Sequence, residues 1–174
     1  MNNINIRKAV INDAEKLLDF FKKAGFETDF LMMDGNGVGM TTEQEVEHLK
    51  QYDNPKYGFY LVATNEVGDI IGQSAITQEY PARKKAEHIY GFGIAILKEY
   101  WGLGIATQMM EKLINHAKQI GVARLELHVR TINTSAINLY KKFGFEIEGT
   151  LKKMAKIGNE YQDEYIMALI FVGI

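Results

Sequence analysis

Residues 100–107 read Tyr-Trp-Gly-Leu-Gly-Ile-Ala-Thr, and this stretch joins an apolar, strand-like segment to a long amphipathic helix. Upstream, residues 89–97 put Tyr90, Phe92, Ile94 and Ile96 on one face and Gly91, Gly93 and Ala95 on the other, so one face of the predicted strand is nearly bare. Glycine inside a strand weakens it, and its usual justification is a bulge or the close approach of a ligand or another backbone. Downstream, Ala106, Met109, Met110, Leu113, Ala117 and Ile120 recur at helical spacing, the apolar stripe of a helix that ends at Gly121. Gly102 and Gly104 fall where that helix begins. The first amides of a helix lack intrahelical partners and lie at the positive end of its dipole, and glycines let an anion reach them. The stretch therefore reads as a cradle for a pyrophosphate.

The bulk composition narrows the partners. A chain of 174 residues suits a single domain over residues 1–174 with a substantial core. Its 20 basic and 22 acidic residues create no field for gripping nucleic acid, so a small molecule or peptide is expected instead. Cysteine is absent, which removes disulfides, thiolate nucleophiles and the common structural zinc sites. His48, His88 and His116 show no ligand spacing; surface or capping positions and no metal are expected. No run reaches transmembrane length and the polar start at residues 1–7 has no secretory core, so a cytoplasmic location without membrane contact is expected.

Taken in order, residues 4–10 read as a first strand, and Asn12 with Glu15 marks the start of a helix that Gly25 ends. Residues 26–40 carry Glu27, Thr28, Asp29, Phe30, Leu31, Met32 and Met33 before three glycines, a loop with apolar bulk. Thr42 and Glu45 suggest a second cap, for a helix running to about Tyr52 before Asn54-Pro55 breaks it. Residues 58–64 and 70–78 form an antiparallel hairpin, and Arg83-Lys84-Lys85 is a solvated basic connector.

After the central helix, residues 124–131 place Leu125, Leu127 and Val129 on one face and Glu126, His128 and Arg130 on the other. Joined by a helix to residues 89–97, this strand should run parallel to them and be buried on both faces, so its polar face needs a reason: a site, or a Glu126–Arg130 pair. Asn133 starts a short helix with Ala136, Ile137 and Tyr140 that stops at Gly144, and residues 145–157 and 163–171 close the chain as two strands about Gly158-Asn159. The expected class is α/β (α+β): a mixed, mostly antiparallel twisted sheet of about seven strands with one central β-α-β crossover and flanking helices. The last strand either finishes this sheet or pairs with a second copy, which leaves a homodimer open.

With these residues in view, the sequence resembles the Gcn5-related N-acetyltransferase (GNAT) superfamily, and within it the ribosomal-protein N-terminal acetyltransferase-like branch. The family's first signature, Arg or Gln, two residues, Gly, one residue, Gly or Ala, falls on Trp101, Gly102, Leu103, Gly104, Ile105 and Ala106. Trp101 departs from Arg or Gln in the Tyr-Trp-Gly form common in that branch. The second signature is met by Asn133, Ala136, Leu139-Tyr140 and Gly144-Phe145. A dinucleotide-binding fold would want a third glycine where Thr107 stands and a longer parallel series.

The resemblance implies acetyl-CoA as cosubstrate and an amine acceptor: a small molecule, an amino acid or a protein N-terminus. Ile94, Ala95 and Ile96 would hold the pantetheine arm and acetyl carbonyl, the amides of Leu103, Gly104, Ile105, Ala106 and Thr107 the pyrophosphate, with Asn133 and Ala136 on the other side. Tyr140 would give a proton to the departing thiolate. An amine with a pKa of about 10 must first lose a proton, and the candidate bases are His128, Glu126 on the same face, and Glu27 or Asp29. Glu27, Asp29, Phe30 and Tyr90 are the candidate acceptor contacts. The plainer readings are that Tyr140 is a core aromatic and His128 a structural histidine, and the rival function is a non-catalytic acyl-CoA sensor.

Overall fold

Alternating apolar runs account for most of the sheet. Strands β1 (Asn5–Lys8), β2 (Gly58–Thr64), β3 (Ile70–Gln78) and β4 (Ile89–Ile96) pair antiparallel in sequence order. Strand β5 (Arg124–Arg130) joins β4 in parallel, while β6 (Glu146–Ile157) and β7 (Glu160–Ile170) add an antiparallel hairpin. The computed structural model describes residues 3–173, so residues 1 and 2 of the polar start lie outside the described residues. The seven strands follow the order β1-β2-β3-β4-β5-β7-β6. The last strand is thus inserted between β5 and β6, and the sheet's edges are β1 and β6.

Among the described residues, four α-helices cover the sheet: α1 (Ala14–Glu27), α2 (Thr42–Gln51), α3 (Ile105–Gln119) and α4 (Thr134–Lys142). The ladder register tells which face each one covers, because residues paired across a ladder point to the same side. Phe59 stacks on His116 of α3, with ring centroids 4.2 Å apart. Its neighbour Tyr60 points the other way and meets His48 of α2 and Tyr52 edge-on. Phe59 pairs with Ile76 and Ile76 with Phe92, while Tyr60 pairs with Ala75 and Ala75 with Gly93. Phe92 therefore faces α3, and it also packs edge-on against Tyr140 of α4. Gly91 and Gly93 face the α1–α2 side. Since Gly91 pairs with Glu126, the polar residues Glu126, His128 and Arg130 share that side too.

Several local expectations shift. Asn12 is not the first cap; Asp13 precedes α1, and its carboxylate takes a bidentate pair from Arg7 at 2.7 and 2.8 Å and the Val10 amide at 2.9 Å. Gly25 does not end α1 but lies where the Asp34 carbonyl crosses; a Cβ there would sit 2.1 Å from that oxygen. The second capping box is one residue earlier, with Thr41 and Gln44 exchanging hydrogen bonds. On α3 the buried stripe is centred on Ile105, Met109, Met110, Leu113, Ile114 and Ala117, with Ala106 and Ile120 at its margin. His116 is no surface residue: it is half-buried beneath Phe59, and burial, then the charge of Lys8, lowers its pKa.

Strand β5 is not buried on both faces. Its polar side is an ion-pair face in which Arg124 bonds Glu126 at 2.6 Å and Glu148 at 2.6 and 3.0 Å, and Arg130 meets Glu164 at 3.3 Å. The Glu126–Arg130 pair expected from the sequence is replaced by these two separate partners.

Candidate active site

The site begins where β4 and β5 part. Their parallel ladder holds only at Ile89–Arg124, Tyr90–Leu125 and Gly91–Glu126, after which residues 92–96 and 127–130 diverge. Splaying leaves backbone groups of both strands without ladder partners and opens a wedge through the sheet, and groups of that kind want a ligand or water. A cavity of about 440 Å³ occupies this region, lined by Ile94, Ala95 and Ile96 from β4, by the turn into α3, and by Asn133, Ser135, Ala136, Leu139 and Tyr140 around α4.

At one end of the cavity the α3 turn has the form an anion needs. Gly102 and Gly104 both have φ of +76°, the left-handed region that costs other residues about 1–2 kcal/mol, and a Cβ at either would meet no atom within 4 Å. Gly104 is the cap residue of α3 and brings no side chain to its free amides. Ile105, Ala106 and Thr107, the first helical residues, line the cavity. These residues fit a pyrophosphate: open space, a left-handed glycine turn and unspent donors. Trp101, which stands where the signature has Arg or Gln, donates its indole N–H to the Ile96 carbonyl at 2.7 Å and so ties the turn to the end of β4.

The other wall comes from the start of α4. Asn133 caps that helix, its Oδ1 accepting from the Ala136 amide at 3.2 Å, so its Nδ2 is the group left for a ligand. Tyr140 is buried against Phe92 and Phe145 yet lines the cavity. Burial pushes its phenol up to about 12, which keeps it protonated throughout the neutral range and suits it to give a proton.

The remaining candidates fall outside this cavity lining, with one exception. Phe30 lines it, with Thr28, Leu31 and Tyr100, three residues that no local pattern in the sequence marks for this wall. Leu103 is half exposed beside it. Glu27 is committed elsewhere: its Oε2 accepts from the Lys98 amide at 2.7 Å, fastening the end of α1 to the turn before α3. Asp29 is exposed on the loop. Tyr90 is buried in the core and gives its hydroxyl to the Lys56 carbonyl. Glu126 is held by Arg124. His128 lies on the α1–α2 face with its Nδ1 3.7 Å from Glu164 Oε2 and its side chain 44% exposed. By register it stands on the same side as the bare Gly93, across the splayed seam from Tyr140. Among the described residues, no group of three or more His, Asp or Glu side chains is placed to hold a metal ion.

The acetyltransferase (GNAT) family matches residues 26–145, a span that includes both the glycine turn and Tyr140. Among curated proteins, the L-amino acid N-acetyltransferase of Escherichia coli is 38% identical over 104 residues, a match that covers 59% of this chain and 63% of that protein. The N-alpha-acetyltransferase of Sulfurisphaera tokodaii is 31% identical over 132 residues, covering 71% of this chain and 73% of that one. Among solved structures, a GNAT-family acetyltransferase from Streptococcus pneumoniae superimposes with a TM-score of 0.91 at 34% identity, covering 97% of this chain and 100% of that one.

Proposed function

We infer, for a chain that belongs to the acetyltransferase (GNAT) family, that it transfers the acetyl group of acetyl-CoA directly to a primary amine. The observation that carries this reading is the continuity of one cavity from the open glycine turn, where a pyrophosphate fits, to the buried Tyr140. Acetyl-CoA brings a thioester, an acyl donor already activated for attack. His128, directly or through a water, takes a proton from the acceptor ammonium on the α1–α2 face. The freed amine attacks the thioester carbon; a C–N bond forms and the C–S bond breaks. Backbone amides along the unpaired end of β4 stabilise the oxyanion. Tyr140 gives its proton to the departing sulfur from the other face, the nitrogen loses its remaining excess proton to solvent water and Tyr140 is reprotonated from solvent, so base and acid work on opposite sides of the seam.

The rival reading, an acyl-CoA sensor without turnover, leaves Tyr140 as a core aromatic packed on Phe92 and Phe145. A sensor needs the turn and the wedge but no buried phenol facing the cavity. The Tyr-Trp-Gly form of the first signature resembles the ribosomal-protein N-terminal acetyltransferase-like branch, while the relatives named above act, by their names, on amino acids and on N-alpha amines. All of these acceptors present a primary amine. The test is thiol release from acetyl-CoA, followed with a chromogenic thiol reagent, over amino acids, polyamines, aminoglycosides and peptides with free N-termini. Release that depends on one amine class is expected, with intersecting initial-rate patterns because both substrates are bound at once. Binding of acetyl-CoA without release for any amine would turn the reading to a sensor.

A further inference from the structure

Arg130 ends β5 on the α1–α2 face and is 2% exposed. A buried guanidinium is costly unless its fork of N–H donors is met. Here the fork is met poorly. Nη1 stands 3.3 Å from Oε1 of Glu164, its direct partner across the β5–β7 ladder, without completing a hydrogen bond. Nη2 donates to the thioether sulfur of Met32 at 3.6 Å, and a thioether is a weak acceptor. Nε has no partner among the described residues. Of the side-on pair Nε and Nη2, whose spacing matches the two oxygens of a carboxylate, the first has no partner among the described residues and the second has only a methionine sulfur.

That methionine is easily moved. Met32 is 71% exposed and sits on the loop after α1, next to Leu31 and close to Phe30, both of which line the donor cavity. The loop thus bridges the cavity and the arginine.

We propose that Arg130 is the carboxylate subsite of the acceptor and that the acceptor is a free α-amino acid. The inference rests on the acetyl-transfer reading above and narrows it to one substrate class. The carboxylate takes Nε and Nη2 in place of the Met32 sulfur, and Glu164 keeps Nη1. An α-amine is one carbon from its carboxylate, so this anchor holds it on the face that His128 shares, two positions back along β5. A peptide N-terminus has an amide where that carboxylate would be and loses the anchor.

The experiment compares the best α-amino acid from a panel with its own amide and its decarboxylated amine, in the full chain and in the Arg130→Gln, Arg130→Lys and Met32→Ala variants. Two readouts are taken: kcat/KM for thiol release, and calorimetric binding of the same compounds to the CoA-loaded protein. Wild type is expected to prefer the acid over its amide by on the order of 100-fold, as for loss of charge-assisted hydrogen bonds in a buried site. Arg130→Gln brings that ratio close to one, Arg130→Lys recovers part of it, and Met32→Ala keeps it. Because Arg130→Gln leaves Glu164 buried without its partner, the Arg130→Gln/Glu164→Gln pair is measured alongside, with acetyl-CoA binding as the check on folding. A ratio that does not move when Arg130 changes, or acid and amide used equally by wild type, overturns the subsite while acetyl transfer stands. Arg130-dependent binding of the acid with no turnover of any amine upholds the subsite and overturns the transfer.

Discussion

Tyr140 is where burial turns into chemistry. Its phenol is raised to about 12 by desolvation, so the residue proposed as proton donor stays protonated well past the ordinary tyrosine value. Raising the pKa extends the protonated form upward in pH and at the same time weakens the drive to give that proton to a thiolate. We expect kcat to hold at about pH 10, where an unperturbed tyrosine would be half ionised, and a basic limb centred there would remove Tyr140 from the role. His116 shows the opposite sign. Its folded pKa is lowered, by burial first and Lys8 second, so the unfolded chain binds its proton more readily. The associated stability is complete above about pH 6.5 and is lost as pH falls below that value. Thermal melts from pH 7.5 to 5 should show a decline that His116→Gln reduces; an unchanged slope would contradict the assignment. At this scale the sequence was informative wherever a residue sits in a local pattern, as Tyr140 does between Asn133 and Gly144. It was silent on Arg130 with Glu164 and on Glu27 with Lys98, since those partners meet only through tertiary contact.

Strand β4 and helix α3 convert residue choices into space. Gly104 ends its turn in the left-handed region and leaves the first α3 amides open. Gly104→Ala should cost about 1–2 kcal/mol in strain, a fall in Tm of roughly 3–6 °C, and should weaken acetyl-CoA binding in calorimetry. Unchanged binding would show that the turn does not hold the pyrophosphate. Gly93 is different in kind: it has no positive φ, and a Cβ there meets nothing within 4 Å. A side chain fits the backbone but fills the face that His128 shares. Gly93→Leu is expected to melt like wild type and bind acetyl-CoA normally while raising KM for the acceptor at least tenfold; a normal acceptor KM would place the acceptor elsewhere. Strand and helix existence was legible because periodicity is local, as in the β2–β3 hairpin. Caps moved by one residue because Thr41 and Thr42, or Asn12 and Asp13, offer near-equal side chains and the turn geometry chooses between them.

Across the whole molecule, a single seam organises function. One sheet crosses the protein, its parallel pair opens after Gly91, and the opening joins the face that carries α1 and α2 to the face that carries α3 and α4. The donor turn and Tyr140 belong to the α3–α4 side, and His128, Arg130 and the loop carrying Met32 belong to the other. The mixed topology and the crossover were readable from element order, since a helix between two strands implies a parallel pair. The insertion of β7 between β5 and β6 was not, because hairpin residues carry no mark of which strand meets the existing sheet. The measurement that bears most directly on acetyl transfer across this seam is Tyr140→Phe, assayed for amine-dependent thiol release and for acetyl-CoA affinity on the same sample. The geometry predicts kcat lower by about 100-fold or more with the affinity nearly unchanged. Wild-type turnover in that variant would contradict it.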